Sequence, residues 1–253
     1  MKIFTYNEKI NHMDDQSELL DLWSESWSVY GFEPIILGRS DAEKHDYFET
    51  FVKELENIHE ELIGEELSQY GLSCYLRWLA YATRTEDKFY VSDLDVINNG
   101  FIIKEPDDQL HLMDDCCPCF ASGSPKQFED LCKNFVKYSK KTEIKEKIKV
   151  DSPSEYTSFH DQDFLCCHCN KKIEDKSRMS FLLETGIKMT RDRHRIGIGN
   201  FYQVGVENKA QVIHFARSNM DEIKENHTKY NNISEQNLRL LFIKNLLLKN
   251  ADK

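Results

Sequence analysis

Asp93 and Asp95 flank Leu94 in the stretch FYVSDLDVI, residues 89–97, where an apolar run passes straight into two carboxylates. Like charges this close disfavour joint ionisation, so the pair costs folding free energy unless something neutralises it. A hard divalent cation does so: Mg²⁺ or Mn²⁺ takes oxygen ligands and usually completes its shell with the phosphates of a substrate. The plainer reading is a solvated turn, because an acidic chain produces Asp-x-Asp by chance. Two further spacings, Cys116-x-x-Cys119 and Cys166-x-x-Cys169, invite a four-thiolate zinc site and, with it, a non-catalytic interaction module. The pairs lie farther apart than in a compact zinc ribbon, no knuckle glycine follows either, and Cys117 and Cys167 blur the pattern. Small buried thiols are therefore the expectation.

Elements must position these groups. MKIFTY opens as a short strand, ELLDLWSESWSVYGF repeats Leu19, Leu20, Trp23 and Trp27 at helical spacing before stopping at Gly31, and PIIL reads as a second strand. A β-α-β start predicts a layered α/β domain with a parallel sheet. The acidic helical tract DYFETFVKELENIHEELIGEEL, a helix around CYLRWLAYA and the strand KFYVSDLDVI follow. Asp93 and Asp95 thus end a strand, on the edge of an open α/β sheet where ligands bind.

Downstream, FIIKE and HLMDDCCPCFA read as strands and SPKQFEDLCKNFVKYS as a capped helix. SEYTSFHDQDFLCCHC is helix-compatible with Ser154 as its N-cap, and QVIHFA is a short strand. SEQNLRLLFIKNLLLK is a strongly apolar C-terminal helix that packs on the domain, with a peripheral membrane contact as the second reading. Trp23, Trp27 and Trp78 belong to the core rather than to sugar platforms.

The 253 residues, 40% hydrophobic, suffice for one large domain with a real core. With 33 basic against 44 acidic residues the formal charge is -11, which argues against nucleic acid as a partner. No secretory signal and no segment of membrane-span length is visible, so the cytoplasm is the expected compartment, with the eight cysteines reduced.

Arg77 in CYLRWLAYA, followed by FYVSDLDV, resembles the helix-then-strand approach of GT-A fold glycosyltransferases, in which a helix with an arginine precedes the metal-binding DxD strand. LWSESWSVYGFEPIILGRSDAEKH fits the same family. HDQDFL, residues 160–165, resembles its acidic helix start facing the acceptor, and QVIHFARS, residues 211–218, its late strand ending in a metal-binding histidine. The resemblance is to sugar transferases encoded by large DNA viruses of algae and, more distantly, to glycogenin-like transferases.

It implies one α/β, GT-A-like glycosyltransferase domain over 1–253, its central sheet mixed, mostly parallel and flanked by helices, with a nucleotide-sugar half at 1–105, an acceptor half with the late metal ligand at 106–220, and a helical extension at 221–253. Asp95 is the implied principal ligand of Mn²⁺ or Mg²⁺, completed by His214, and Asp93 is implied to contact the donor's ribose or sugar and the metal through water. Thr5 and Tyr6 line the nucleotide pocket, Arg77 pairs on the donor side, and Arg217 or the basic run Arg191 to Arg195 meets the diphosphate. Asp161 and Asp163 are the acceptor-side carboxylates, as general base in an inverting enzyme or as stabiliser or nucleophile in a retaining one. The implied partners are a nucleotide-sugar donor, a UDP-sugar being the expected one, and a glycan or other hydroxyl acceptor. A transferase fold that binds the donor without turnover is the other alternative.

Overall fold

The computed structural model describes residues 1–10, 14–113, 118–141, 161–165, 181–182, 185–189, 196–197 and 210–251. The chain opens with β1 (Lys2–Tyr6), α1 (Ser17–Ser28), β2 (Glu33–Leu37), a short α2 (Arg39–Ala42), α3 (Phe48–Ile63) and α4 (Gln69–Ala82). It continues through β3 (Phe89–Ser92), β4 (Val96–Asn98), β5 (His111–Leu112), β6 (Phe120–Gly123) and α5 (Pro125–Ser139). Then come α6 (Gln162–Leu165), β7 (Lys188–Met189), β8 (Ile196–Gly197), β9 (Val212–His214), α7 (Arg217–Asn226), a 3-10 turn (Thr228–Tyr230) and α8 (Glu235–Ala251).

The central sheet has six strands in the order β2-β1-β3-β6-β5-β7. β2, β1 and β3 run parallel, β6 is antiparallel to both β3 and β5, and β7 is parallel to β5. Helices cover it, so the α/β class with a mixed, mostly parallel sheet is what the chain adopts. A second sheet of three short strands has the order β4-β9-β8.

Alternation along the strands builds two cores, because successive side chains point to opposite faces. Phe4, Phe89 and Val91 join Trp78, Phe128 and Phe135 from α4 and α5 on one face. Ile3, Tyr90 and Phe120 join Trp23 and Trp27 of α1 on the other, together with Ile213, Leu238 and Ile243. The helices start where their sequences provide caps. Ser68 accepts from the Gly71 N–H at the head of α4, and Ser124 and Gln127 form a reciprocal capping box ahead of α5. After α1, Gly31 adopts φ +82° to close the turn into β2, a conformation that costs glycine little.

Two sequence readings need correction, and one helix went unread. KFYVSDLDVI is not one strand: β3 ends at Ser92 and β4 belongs to the other sheet. FIIKE is not a strand at all. The Asn98 side-chain oxygen accepts from the Gly100 and Phe101 N–H groups at 2.9 and 2.7 Å, diverting the chain before it can pair. Finally, α7 follows QVIHFA unannounced, although Met220 and Ile223 stand at helical spacing and are buried. The C-terminal helix packs on the domain through Leu238, Leu240, Ile243 and Leu246. No described helix is long and apolar enough to cross a membrane.

Candidate functional site

The two aspartates sit in a turn, not in a strand. Asp93 N–H donates to the Cys119 carbonyl at 2.8 Å, and Val96 N–H donates back to the Asp93 carbonyl at 3.1 Å. α1 fastens the turn at both ends. The Trp23 indole N–H donates to Ser92 Oγ at 2.9 Å, just before it, and the Trp27 indole N–H to the Val96 carbonyl at 3.1 Å, just after it. Both indoles are fully buried, as core residues should be, yet each spends its polar edge on holding this loop.

β9 completes the arrangement from far along the chain. Its antiparallel register sets His214 opposite Val96, and Phe215 N–H donates to the Asp95 carbonyl at 2.8 Å. Ligand atoms of Asp93, Asp95 and His214 consequently lie within 4.8 Å of one another, and His214 Nε2 is 3.3 Å from Asp95 Oδ1. Two carboxylate oxygens and one imidazole nitrogen form a donor set suited to a divalent ion such as Mn²⁺. These three side chains could hold a metal.

Electrostatics divides the two acids. Burial pushes Asp93 up to about 6; Arg77 opposes the rise, and the Asp95 charge adds to it. Burial would raise Asp95 too, but His214, by charge and hydrogen bond, and then Arg239 outweigh it and hold Asp95 below the usual carboxylate range. One acid is thus readily ionised and the other is strained in its charged form, which is what a cation between them relieves.

Arg77 stands behind this group. Its Nη1 donates to Asp93 Oδ1 at 2.5 Å and its Nη2 to Asp161 Oδ2 at 2.6 Å, while its guanidinium lies 4.8 Å from the Trp78 ring centroid. Trp78 also donates to Asp161 Oδ2, at 2.8 Å. α4 thus supplies both donors to Asp161, from consecutive residues whose long side chains converge on one carboxylate oxygen. The nearest carboxylate to the turn is therefore gripped by a cation that is itself anchored from within.

The other expected residues are placed as follows. Asp161 is fully buried and Asp163 nearly so, at 0% and 4% exposure, around the short turn α6. Thr5 is fully buried, and its hydroxyl has no hydrogen-bond partner among the described residues. Tyr6, at the end of β1, donates its hydroxyl to Glu8 Oε2 at 2.8 Å, and Arg39 Nη1 lies 3.5 Å from the other Glu8 oxygen. Arg217, with its side chain 81% exposed, lies 3.4 Å from Glu235 and 3.8 Å from Asp221.

Sequence reading missed Arg239. From α8 its Nη2 comes within 3.9 Å of Asp95 Oδ2. An arginine within an otherwise apolar helical face, LRLLFI, was the available signal, since burying that face obliges the guanidinium to find partners. Cys119 is buried. Cys116, Cys117, Cys166, Cys167, Cys169, Ser154, His160 and the run Arg191 to Arg195 lie outside the described residues.

No family model matches the chain, and no curated protein does. Among solved structures it is similar to the apo form of the glycosyltransferase GlyE of Streptococcus pneumoniae TIGR4, at 12% identity and a TM-score of 0.45. A further crystal structure of GlyE gives 11% identity and the same TM-score. In both, 98% of this chain is covered but only 63% of GlyE, so the chain spans under two thirds of that protein's length. An active-site mutant of LgtC gives 10% identity and a TM-score of 0.37, over 85% of this chain and 86% of the other.

Proposed function

We propose that this chain is a GT-A-like, metal-dependent glycosyltransferase that moves a sugar from a nucleotide-sugar donor, a UDP-sugar first among them, to a hydroxyl of a glycan or similar acceptor. The observation that carries the reading is the convergence of Asp93, Asp95 and His214, from a strand-end turn and a distant strand, beside a partly buried arginine. A donor diphosphate is the natural completion of such a shell, because Mn²⁺ and Mg²⁺ sites of this kind leave positions open to phosphate. When bound, the cation supplies Lewis-acid stabilisation of the charge that gathers on the departing diphosphate.

The chain's own residues do the rest. Asp95 and His214 hold the cation, with Asp93 beside them. Arg77 fixes the Asp93 carboxylate so that its second oxygen stays turned to the ligand. The nucleotide lies across the ends of β1 and β2, where Tyr6 and Glu8 present a hydrogen-bonded pair; Thr5, being enclosed, contributes through its main chain. Asp161 and Asp163 act from inside the protein, Asp161 by holding Arg77, and Arg217 reaches the donor only by leaving Glu235.

Asp95→Ala and treatment with EDTA are each expected to abolish both donor hydrolysis and sugar transfer, measured by nucleotide release after a thermal-shift screen of nucleotide sugars with Mn²⁺. Undiminished turnover in either case refutes the reading. Binding of a nucleotide sugar with no product under any acceptor would instead favour a fold that binds without catalysis.

A further inference from the structure

We propose that Arg239 is a positioning residue of the metal centre, so that the C-terminal helix is part of the site rather than an appendage to it. The inference rests on the metal-centre reading above and deepens it. Arg239 is 9% exposed and directs its guanidinium at both segments that carry the ligands, the Asp95 turn and the end of β9. Nε donates to the Phe215 carbonyl at 2.8 Å, the residue directly after His214, and Nη2 lies 3.9 Å from Asp95 Oδ2. Nη1 donates to Gln236 at 3.2 Å and Nη2 to Glu235 at 2.6 Å, which sets the angle of the planar group. Asp95 and Phe215 are themselves joined by a main-chain hydrogen bond of 2.8 Å. One side chain therefore bonds the backbone directly after the metal-facing imidazole and stands within ion-pair reach of a metal-facing carboxylate.

Two effects of this arginine oppose each other. Its charge repels a cation at Asp95, whereas its fork fixes the backbone next to His214 and holds that strand end against the Asp95 carboxylate. The Glu235 carboxylate at 2.6 Å offsets part of that charge, and loss of the fork is expected to weaken the metal site through position. Lysine cannot replace it. A single ammonium on a flexible stem does not reach the Phe215 carbonyl, Gln236, Glu235 and Asp95 from one plane.

The test is Mn²⁺ binding to the purified full chain, read by electron paramagnetic resonance of the free ion, at temperatures where each variant is folded. R239M and R239K are both expected to raise the Mn²⁺ Kd about tenfold or more, the usual range for removing an outer-shell partner. Leu246→Ala, in the same helix and packed in the same core, is expected to lower Tm and leave the Kd within about twofold of wild type, since it touches no metal-facing group. The inference is overturned if folded R239M and R239K bind Mn²⁺ as wild type does, or if Leu246→Ala loses affinity equally. Wild-type protein that takes up neither Mn²⁺ nor Mg²⁺ overturns the metal-centre reading itself.

Discussion

Asp93 is the residue at which structure and chemistry pull hardest against each other. Partly buried between Arg77 and a second acid, its carboxyl is pushed up to about 6 from an ordinary value of 3.8. A group whose folded pKa is raised gives stability that is complete below its unfolded pKa and is lost as pH rises through the folded one. The metal-free protein is accordingly held back by Asp93 above pH 6 and hardly at all below pH 3.8. Asp93→Asn should remove that cost. Each tenfold change in an ionisation equilibrium is worth about 1.4 kcal/mol. Because the side chain is 26% exposed, solvent reduces the gain, which should be on the order of 1–2 kcal/mol. In EDTA, thermal melts across pH should show Asn above wild type at pH 8 and the two converging towards pH 4, with Mn²⁺ affinity lost in the variant at every pH. Melts that run parallel across that range would mean that Asp93 is not strained by its ionised form.

At the scale of elements, what makes the turn a site is helix α1. Its two indoles are spaced one helical turn apart, as Trp23 and Trp27, and meet the chain on either side of Asp93-Leu94-Asp95. Trp23→Phe keeps an aromatic ring in the core but deprives the buried Ser92 hydroxyl of its donor. An unsatisfied buried polar group and a partial cavity together should cost about 2–3 kcal/mol. Urea unfolding measures that loss, and a Mn²⁺ titration of the folded variant should show weaker binding because Ser92 directly precedes the ligands. A variant destabilised to this extent with unchanged Mn²⁺ affinity would confine Trp23 to the core. The placement of these tryptophans in the core was legible from Leu19, Trp23 and Trp27 at helical spacing. Their second duty was not, because a hydrogen bond to a residue on another strand leaves no periodic mark on either segment.

For the whole molecule, the C-terminal helix decides whether the chain is a closed unit. Leu238 is fully buried and Leu248 is 65% exposed, so Leu238→Ala should cost about 2–5 kcal/mol and Leu248→Ala no more than about 0.5, measured by urea melts. Equal, small effects would mean that the helix leaves the domain in solution, as a membrane- or partner-binding helix would. Much of the architecture could be read in advance. The alternation of MKIFTY, the helical period of α1 and α3, the Ser124 cap and the apolar approach to Asp93 are local features, and local features are written in contiguous residues. The break between β3 and β4 escaped that reading, because either side of Asp93 is equally strand-like and only the partners differ: β6 for one, β9 for the other. By itself, then, the sequence determined the α/β class, most of its elements, and which side chains have the chemistry to bind a cation. Tertiary structure alone decided that Asp93, Asp95 and His214 face one point, that Asp161 is spent on Arg77, and that Arg239 joins them from the last helix. The reason is physical: residue type and spacing are fixed along the chain, whereas convergence depends on strand register and on two shared cores that no single segment encodes.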